Sequence, residues 1–221
     1  MSKSGAPSRD ERRQQLLDAA KGLFGERGYH DTTVDDITKA ANVAKGTFYL
    51  YFREKREIYH EVIKSFLDLI KDFGNLVVEH DPSPADYFAK VQDGARGLLA
   101  ALTDNRQLAR LAYREALGPD ESMVAMFRDF YRELAELECR NLEMAMQLGI
   151  VRKCTPLAVA YMHIGMVERL LLEVLERPDA FPPLEQLVDE LLRVGYEGLR
   201  GPHGPPWDLM FAPSGTPEPT G

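Results

Sequence analysis

Residues 44–55 read Ala-Lys-Gly-Thr-Phe-Tyr-Leu-Tyr-Phe-Arg-Glu-Lys, and their side chains are of the kinds that meet a nucleic acid. Lys45 can donate to guanine O6 and N7 in a major groove. Gly46 has no side chain, so the backbone there can come close to a base. Thr47 can bond a phosphate or touch a thymine methyl. Tyr49 and Tyr51 combine an apolar ring with a hydroxyl that reaches phosphate. Lys55 stands near the start of a further helix, where backbone N–H groups also point outward. Phe48 and Phe52 lie four apart, on the face that continues Val43, and read as core.

These residues need a scaffold, and the flanking sequence predicts one. Thr33 can cap a short helix, with Asp36 three residues on. Val34, Ile37, Ala40 and Ala41 form the inner face of that helix. Asn42 tolerates the left-handed turn that follows. A second short helix then starts at Ala44. This is the layout of a helix-turn-helix, in which the second helix lies in the DNA major groove. Ahead of it, Leu16, Leu17, Ala20, Leu23 and Phe24 repeat at helical spacing over residues 9–27, and Gly28 is a stop signal.

The rest of the chain also reads as helix, over about residues 54–80, 84–103, 105–117, 120–148, 156–177 and 183–200. Breaks fall at Asp81-Pro82-Ser83-Pro84, Asp104-Asn105, Gly118-Pro119, residues 149–156 and residues 178–183. No strand alternation is found. The expected fold is all-α: a three-helix helix-turn-helix domain over 9–53, then roughly six helices over 54–200. Residues 1–8 and the Gly/Pro-rich tail 201–221 read as disordered. The tail carries an island, Trp207-Asp208-Leu209-Met210-Phe211, as a point where a partner could dock.

The chain has 221 residues and a net charge of −8, which at first argues against DNA. The distribution removes the objection. Residues 1–57 hold 11 Lys and Arg against 9 Asp and Glu, a net of +2, and the remainder holds 16 against 26. Phosphates respond to the local field, and the DNA-reading end is mildly basic. The apolar stretch Leu157–Leu175 is interrupted by His163, Glu168, Arg169 and Glu173, which suits a buried helix better than a membrane span. No signal peptide is read at the N-terminus, so a cytoplasmic protein with Cys139 and Cys154 reduced is expected. Nucleophile motifs, a P-loop and paired Cys-x-x-Cys are not found. One Glu-x-x-His pair, Glu57 and His60, is the only trace of a helical metalloenzyme, which would want two such pairs. No cofactor or metal is called for.

One short recognition helix buries too little surface for tight specific binding, and paired half-sites solve this. Leu184, Leu187, Val188, Leu191, Leu192 and Gly195 form a stripe on the last helix. Leu171 and Val174 stand on the apolar helix before it. These are the expected dimer surface. The middle helices are rich in Met and aromatic residues: Phe66, Phe88, Tyr113, Met126, Phe127, Phe130, Met162 and Met166. Such a lining suits a hydrophobic effector, with Arg114 and His163 as polar groups to orient it.

The N-terminal segment closely resembles the TetR family of bacterial transcription regulators. The match is carried by Leu17, Ala19, Ala20, Leu23, Phe24, Gly28, Tyr29, Thr32-Thr33-Val34, Ile37, Ala40-Ala41, Val43, Lys45 to Phe52 and Lys55. The resemblance implies that Lys45, Gly46, Thr47 and Tyr49 face the groove while Thr33, Tyr51 and Lys55 hold phosphates. It also implies a homodimer through the last two helices and a small molecule among the middle ones. The function expected is a ligand-responsive repressor on a palindromic operator in double-stranded DNA. An activator, or a regulator under a protein partner, is the alternative. One position departs from the family: Ala44 stands where Ser or Thr commonly opens the recognition helix, which removes a cap and a phosphate donor.

Overall fold

The computed structural model describes residues 8–75, 83–116 and 118–200. The elements are α1 (Arg9–Arg27), α2 (Val34–Ala40), α3 (Lys45–Tyr49), α4 (Lys55–Asn75), α5 (Pro84–Asp104), α6 (Arg106–Ala116), α7 (Glu121–Gln147), α8 (Pro156–Glu176) and α9 (Leu184–Leu199). A 3-10 turn, Pro178–Ala180, lies between α8 and α9. The fold is all-α. Among the described residues the only extended pairing is an isolated bridge between Val151 and Arg200. The tail and its Trp207–Phe211 island lie outside the described residues.

Caps set the helix boundaries. Ser8 and Glu11 form a capping box at the start of α1, and Thr33 and Asp36 form one at the start of α2. Gly28 ends α1 at φ +81°, its N–H donating to the Phe24 carbonyl at 2.9 Å. Asn42 makes the turn into α3 at φ +52°, the left-handed conformation expected of it. The recognition helix α3 is shorter than the sequence pattern suggests, five residues in all. Its end tightens: Leu50 N–H bonds the Thr47 carbonyl and Tyr51 N–H the Phe48 carbonyl.

The chain packs as two compact units. One comprises residues up to Leu69 together with Asp104–Arg128; the other comprises Ile70–Thr103 and the chain from Asp129 onward. Helices α4 and α7 each contribute residues to both.

In the first unit the buried side chains come from each element: Leu16, Ala20 and Phe24 of α1, Ile37 of α2, Phe48 of α3, Phe52, then Ile58 and Ile63 of α4, Leu108 of α6 and Met123 of α7. Phe24 meets Tyr59 edge to face at 4.9 Å, and Phe48 meets Phe52 at 5.6 Å. Arg13 on α1 pairs with Glu61 on α4 at 2.5 Å and lies over the Phe52 ring. Arg56 on α4 donates to Asp120, which also accepts from the Ser122 hydroxyl at the head of α7. The Ser122 hydroxyl and the Arg56 guanidinium hold the Asp120 carboxyl far below the usual carboxylate range.

The second unit is built on Tyr87, Phe88, Ala135, Leu142, Ala145, Ile150, Val159, Ala160, Tyr196 and Leu199. Two polar pairs cross from α7 to α8: Tyr131 donates to Glu168 at 2.5 Å, and His163 Nδ1 lies 2.9 Å from Glu138. Gly97 on α5 lets α4 come close, since a Cβ there would fall 2.4 Å from the Phe73 ring.

Ala44 occupies the N-cap of α3 and makes no side-chain cap bond. Ala44→Ser is expected to stabilise the chain by about 0.5–1 kcal/mol, the usual worth of a cap. A thermal melt of the variant beside the parent checks this, and an unchanged midpoint would show that the turn does not admit the capping rotamer.

Candidate nucleic-acid interface

The five residues of α3 divide cleanly between inside and outside. Phe48 is completely buried, and Phe52 beyond the helix end is nearly so. The remaining positions turn to solvent. Lys45 and Gly46 are exposed, Thr47 is half-buried, and Tyr49 is 53% exposed. No atom lies within 4 Å of a Cβ built at Gly46, so the backbone there stands open to a ligand. Tyr51 is half-buried beside them.

Leu50 is 72% exposed, the most exposed of the large apolar residues among those described. It was not among the residues expected at the interface. The available signal was its place two residues after Phe48, off the buried face.

The Lys45 ammonium is not idle in the DNA-free chain. It lies 2.7 Å from Asp35 Oδ1 on α2, with both side chains more than half exposed. The hydrogen bond to Asp35, and then the charge of Asp35, raise the pKa of the ammonium. Lys45 is therefore a cation at neutral pH.

Two of the residues expected to hold phosphates also bond within the chain. The Lys55 ammonium donates to the Tyr29 carbonyl at 2.6 Å and the Thr32 carbonyl at 2.7 Å, and lies over the Tyr29 ring. In this conformation Lys55 ties α4 to the loop between α1 and α2, and two of its three donors face inward. The reason is that the loop's carbonyls lack helical partners and a cation at the head of α4 is the nearest donor. Thr33 is likewise engaged: its hydroxyl donates to Asp36 Oδ2 at 2.6 Å and its N–H to the same oxygen at 3.0 Å. Those bonds hold the Asp36 carboxyl below its ordinary range.

Glu57 and His60 are not a ligand pair here. Glu57 accepts from the Arg53 N–H at 2.6 Å, while His60 faces Arg56, Ser122 and Asp120. No group of three or more possible metal ligands occurs among the described residues. No described helix is long and apolar enough to cross a membrane.

The residues expected to line an effector site fall in both units. Phe66 and Phe127 are buried in the first, where Tyr113 and Met126 are half-buried and Arg114 is exposed. Phe88 and Phe130 are buried in the second, where His163 and Met166 are half-buried. Met162 is 66% exposed in the single chain, one residue off the inward face of α8 that Val159 and Ala160 define. Asn141, which the sequence analysis passed over, is buried with its Oδ1 lacking a partner among the described residues.

The residues expected to form the dimer stripe differ in exposure within the single chain. Leu187 is buried, Leu192 packs on the second unit's core, and a Cβ at Gly195 would lie 3.5 Å from His163 Nε2. Val188, Leu191, Leu171 and Val174 are half-buried, and the Leu184 side chain lies outside the described residues. The exposed apolar side chains of these two helices are instead Leu157, Tyr161 and Met162 on α8 and Val194 on α9.

A three-helix head with a short exposed recognition helix defines a DNA-binding regulator of the helix-turn-helix class. Residues 16–62 match the family profile described as bacterial regulatory proteins, tetR family. Over 208 residues the chain is 26% identical to the HTH-type transcriptional repressor KstR2 of Rhodococcus jostii, covering 87% of this chain and 93% of that protein. It is 38% identical over 104 residues to the HTH-type transcriptional activator FasR of Mycolicibacterium smegmatis, covering 47% of this chain and 38% of that protein. The solved structure of SmeT, repressor of a Stenotrophomonas maltophilia multidrug efflux pump, shares the fold at a TM-score of 0.70 and 19% identity, covering 97% of this chain and 98% of that one. Residues 16–62 thus match the helix-turn-helix segment of the TetR family, and these likenesses support a DNA-binding transcriptional regulator.

The inward role of Lys55 has a direct test. Lys55→Met leaves two loop carbonyls without their charged donor, and is expected to cost about 1–3 kcal/mol of stability in the absence of DNA. Differential scanning calorimetry of the DNA-free protein reads it. A midpoint equal to that of the parent, with DNA affinity lost, would return Lys55 to the phosphate backbone.

Proposed function

We propose that the chain is a ligand-responsive repressor. It binds a palindromic operator as a homodimer in the bacterial cytoplasm and leaves it when a small, largely apolar molecule binds. Residues 9–53 read DNA, and residues 54–200 carry the effector site and the dimer contact. The observation that supports this most directly is the outward set Lys45, Gly46, Thr47 and Tyr49 on a helix of five residues. One turn and a half of helix contacts too few base pairs to select a site alone, which favours two copies on half-sites about 34–36 Å apart or a multiple of that.

The exposed apolar side chains of α8 and α9 support pairing through those helices. Tyr161 and Met162 stand on α8, with Gly165 near them open to solvent; Val194 on α9 has an open glycine, Gly198, four residues on. Open glycines on apolar helices let another helix approach closely. The effector is assigned to the second unit, with Phe88, Phe130 and Met166 as its apolar surroundings. Asn141 Oδ1 is the polar group there that a ligand donor would satisfy. SmeT, a protein of the same fold, has been solved in complex with triclosan. Ligand binding favours the dimer form whose recognition helices are misplaced, and the shift equals the ligand's differential affinity for the two forms. The second reading, an activator, is supported by the likeness to FasR over the segment they share.

In vitro selection from a random DNA pool tests the core of this. The native chain is expected to enrich an inverted repeat, and Tyr49→Ala to lose it while remaining folded by circular dichroism. Enrichment of a single half-site, or of nothing, would refute the dimeric reader. Tyr161→Asp is expected to turn a sedimenting dimer into a monomer and weaken operator binding by at least tenfold, about 1.4 kcal/mol. A variant that remains dimeric would move the interface off α8.

A further inference from the structure

We propose that Asp35 is a specificity-determining residue: it holds the Lys45 ammonium toward the base edges and keeps it from the phosphates. The inference rests on the reading of α3 as the recognition helix. It starts from an arrangement the operator-reading set does not use, the 2.7 Å pair between Lys45 Nζ and Asp35 Oδ1 across α3 and α2.

A lysine alone is a mobile point charge on a flexible stem, and any phosphate satisfies it. Such a residue adds affinity for every sequence alike. Asp35 changes that. Its backbone is fixed, as the second residue of α2, between the Thr33–Asp36 capping box and fully buried Ile37. Its carbonyl also accepts from the Thr38 hydroxyl at 3.1 Å. The carboxylate is thus presented from a rigid element, and the ammonium is tethered to it. An ammonium carries three donors. One is spent on Asp35, which leaves two for the O6 and N7 of one guanine.

The penalty for the wrong site follows from charge. On a guanine in register, Lys45 can keep Asp35 and the base together. On a sequence without that acceptor, Lys45 gains a DNA contact only by swinging to a phosphate, which abandons a carboxylate in the negative field of the duplex. Both groups are more than half exposed, so the pair contributes little to folding and its removal leaves the scaffold intact.

The test is a fluorescence-anisotropy titration of the selected operator and of a scrambled duplex over a salt series. The proteins are the native chain, Asp35→Asn, Lys45→Met and the double variant. Asp35→Asn is expected to bind the scrambled duplex roughly two- to fivefold tighter, the equilibrium equivalent of an exposed ion pair. Its slope of log K against log salt should steepen by about 0.9, one more phosphate neutralised. Operator affinity should change less, so the specificity ratio falls. In the Lys45→Met background, Asp35→Asn should leave the slope unchanged. Equal tightening on both duplexes overturns the proposal, as does a steeper slope that persists without Lys45; Asp35 would then be only a repulsive charge. A native chain that prefers no sequence overturns both this inference and the regulator reading, and shows itself before any variant is made.

Discussion

Everything at the DNA-facing end depends on holding a helix too short to exist by itself. Five residues close barely more than one turn, and nucleation costs more than such a helix can recover. Helix α3 persists because Phe48 and Phe52 are buried among α1, α2 and α4 residues of the same unit. Each fully buried Phe is worth about 1.5–3 kcal/mol of transfer free energy, which exceeds what the helix's own hydrogen bonds return. The same constraint selects the reading face. With Phe48 turned inward, helical geometry leaves Lys45, Gly46, Tyr49 and Leu50 outward, so the interface is what the core does not use.

A second layer of control is polar and sits behind the helix-turn-helix. Thr32 is fully buried and donates its hydroxyl to the Gly28 carbonyl at 2.8 Å. Lys55 donates to the carbonyls of Tyr29 and Thr32. These bonds fix the loop that carries the chain from α1 to the capped start of α2. The Lys55 ammonium and the Thr32 hydroxyl thus satisfy carbonyls of this loop, which lack partners from helix or sheet.

That difference explains what could and could not be seen in the sequence. Helix ends marked by local chemistry were legible: the capping box of Thr33 with Asp36, the stop at Gly28, the left-handed Asn42. Phe48 and Phe52 as core were legible too, since their spacing is enough. Residues with two plausible partners were not. The bonds of Lys55 to the Tyr29 and Thr32 carbonyls depend on the fold of the α1–α2 loop, which no local pattern shows. Met162 and Leu187 show the same limit on apolar helices. In α8 polar positions are few and the period that separates inside from outside is weak; in α9 the apolar face is plain, but which of its residues are buried within the chain is set by tertiary packing. Asn141, buried on α7 with an unpaired oxygen, has no local signature.

Charge gives the interface its character. The chain carries −8 overall, and α2 begins with two carboxylates, Asp35 and Asp36, close to where DNA would lie. Asp36 is bound into the cap by Thr33 and Asp35 faces Lys45. A surface built mainly to attract phosphates would place cations there, since a helix N-terminus already favours anions. Filling it with the protein's own acids gives up sequence-independent attraction. In the proposed reading, what remains to discriminate is the short outward set on α3 with the open backbone at Gly46. On the proposed dimer, affinity would come from repetition of that small set rather than from charge, and such a regulator would gain selectivity by binding poorly wherever the fit is wrong.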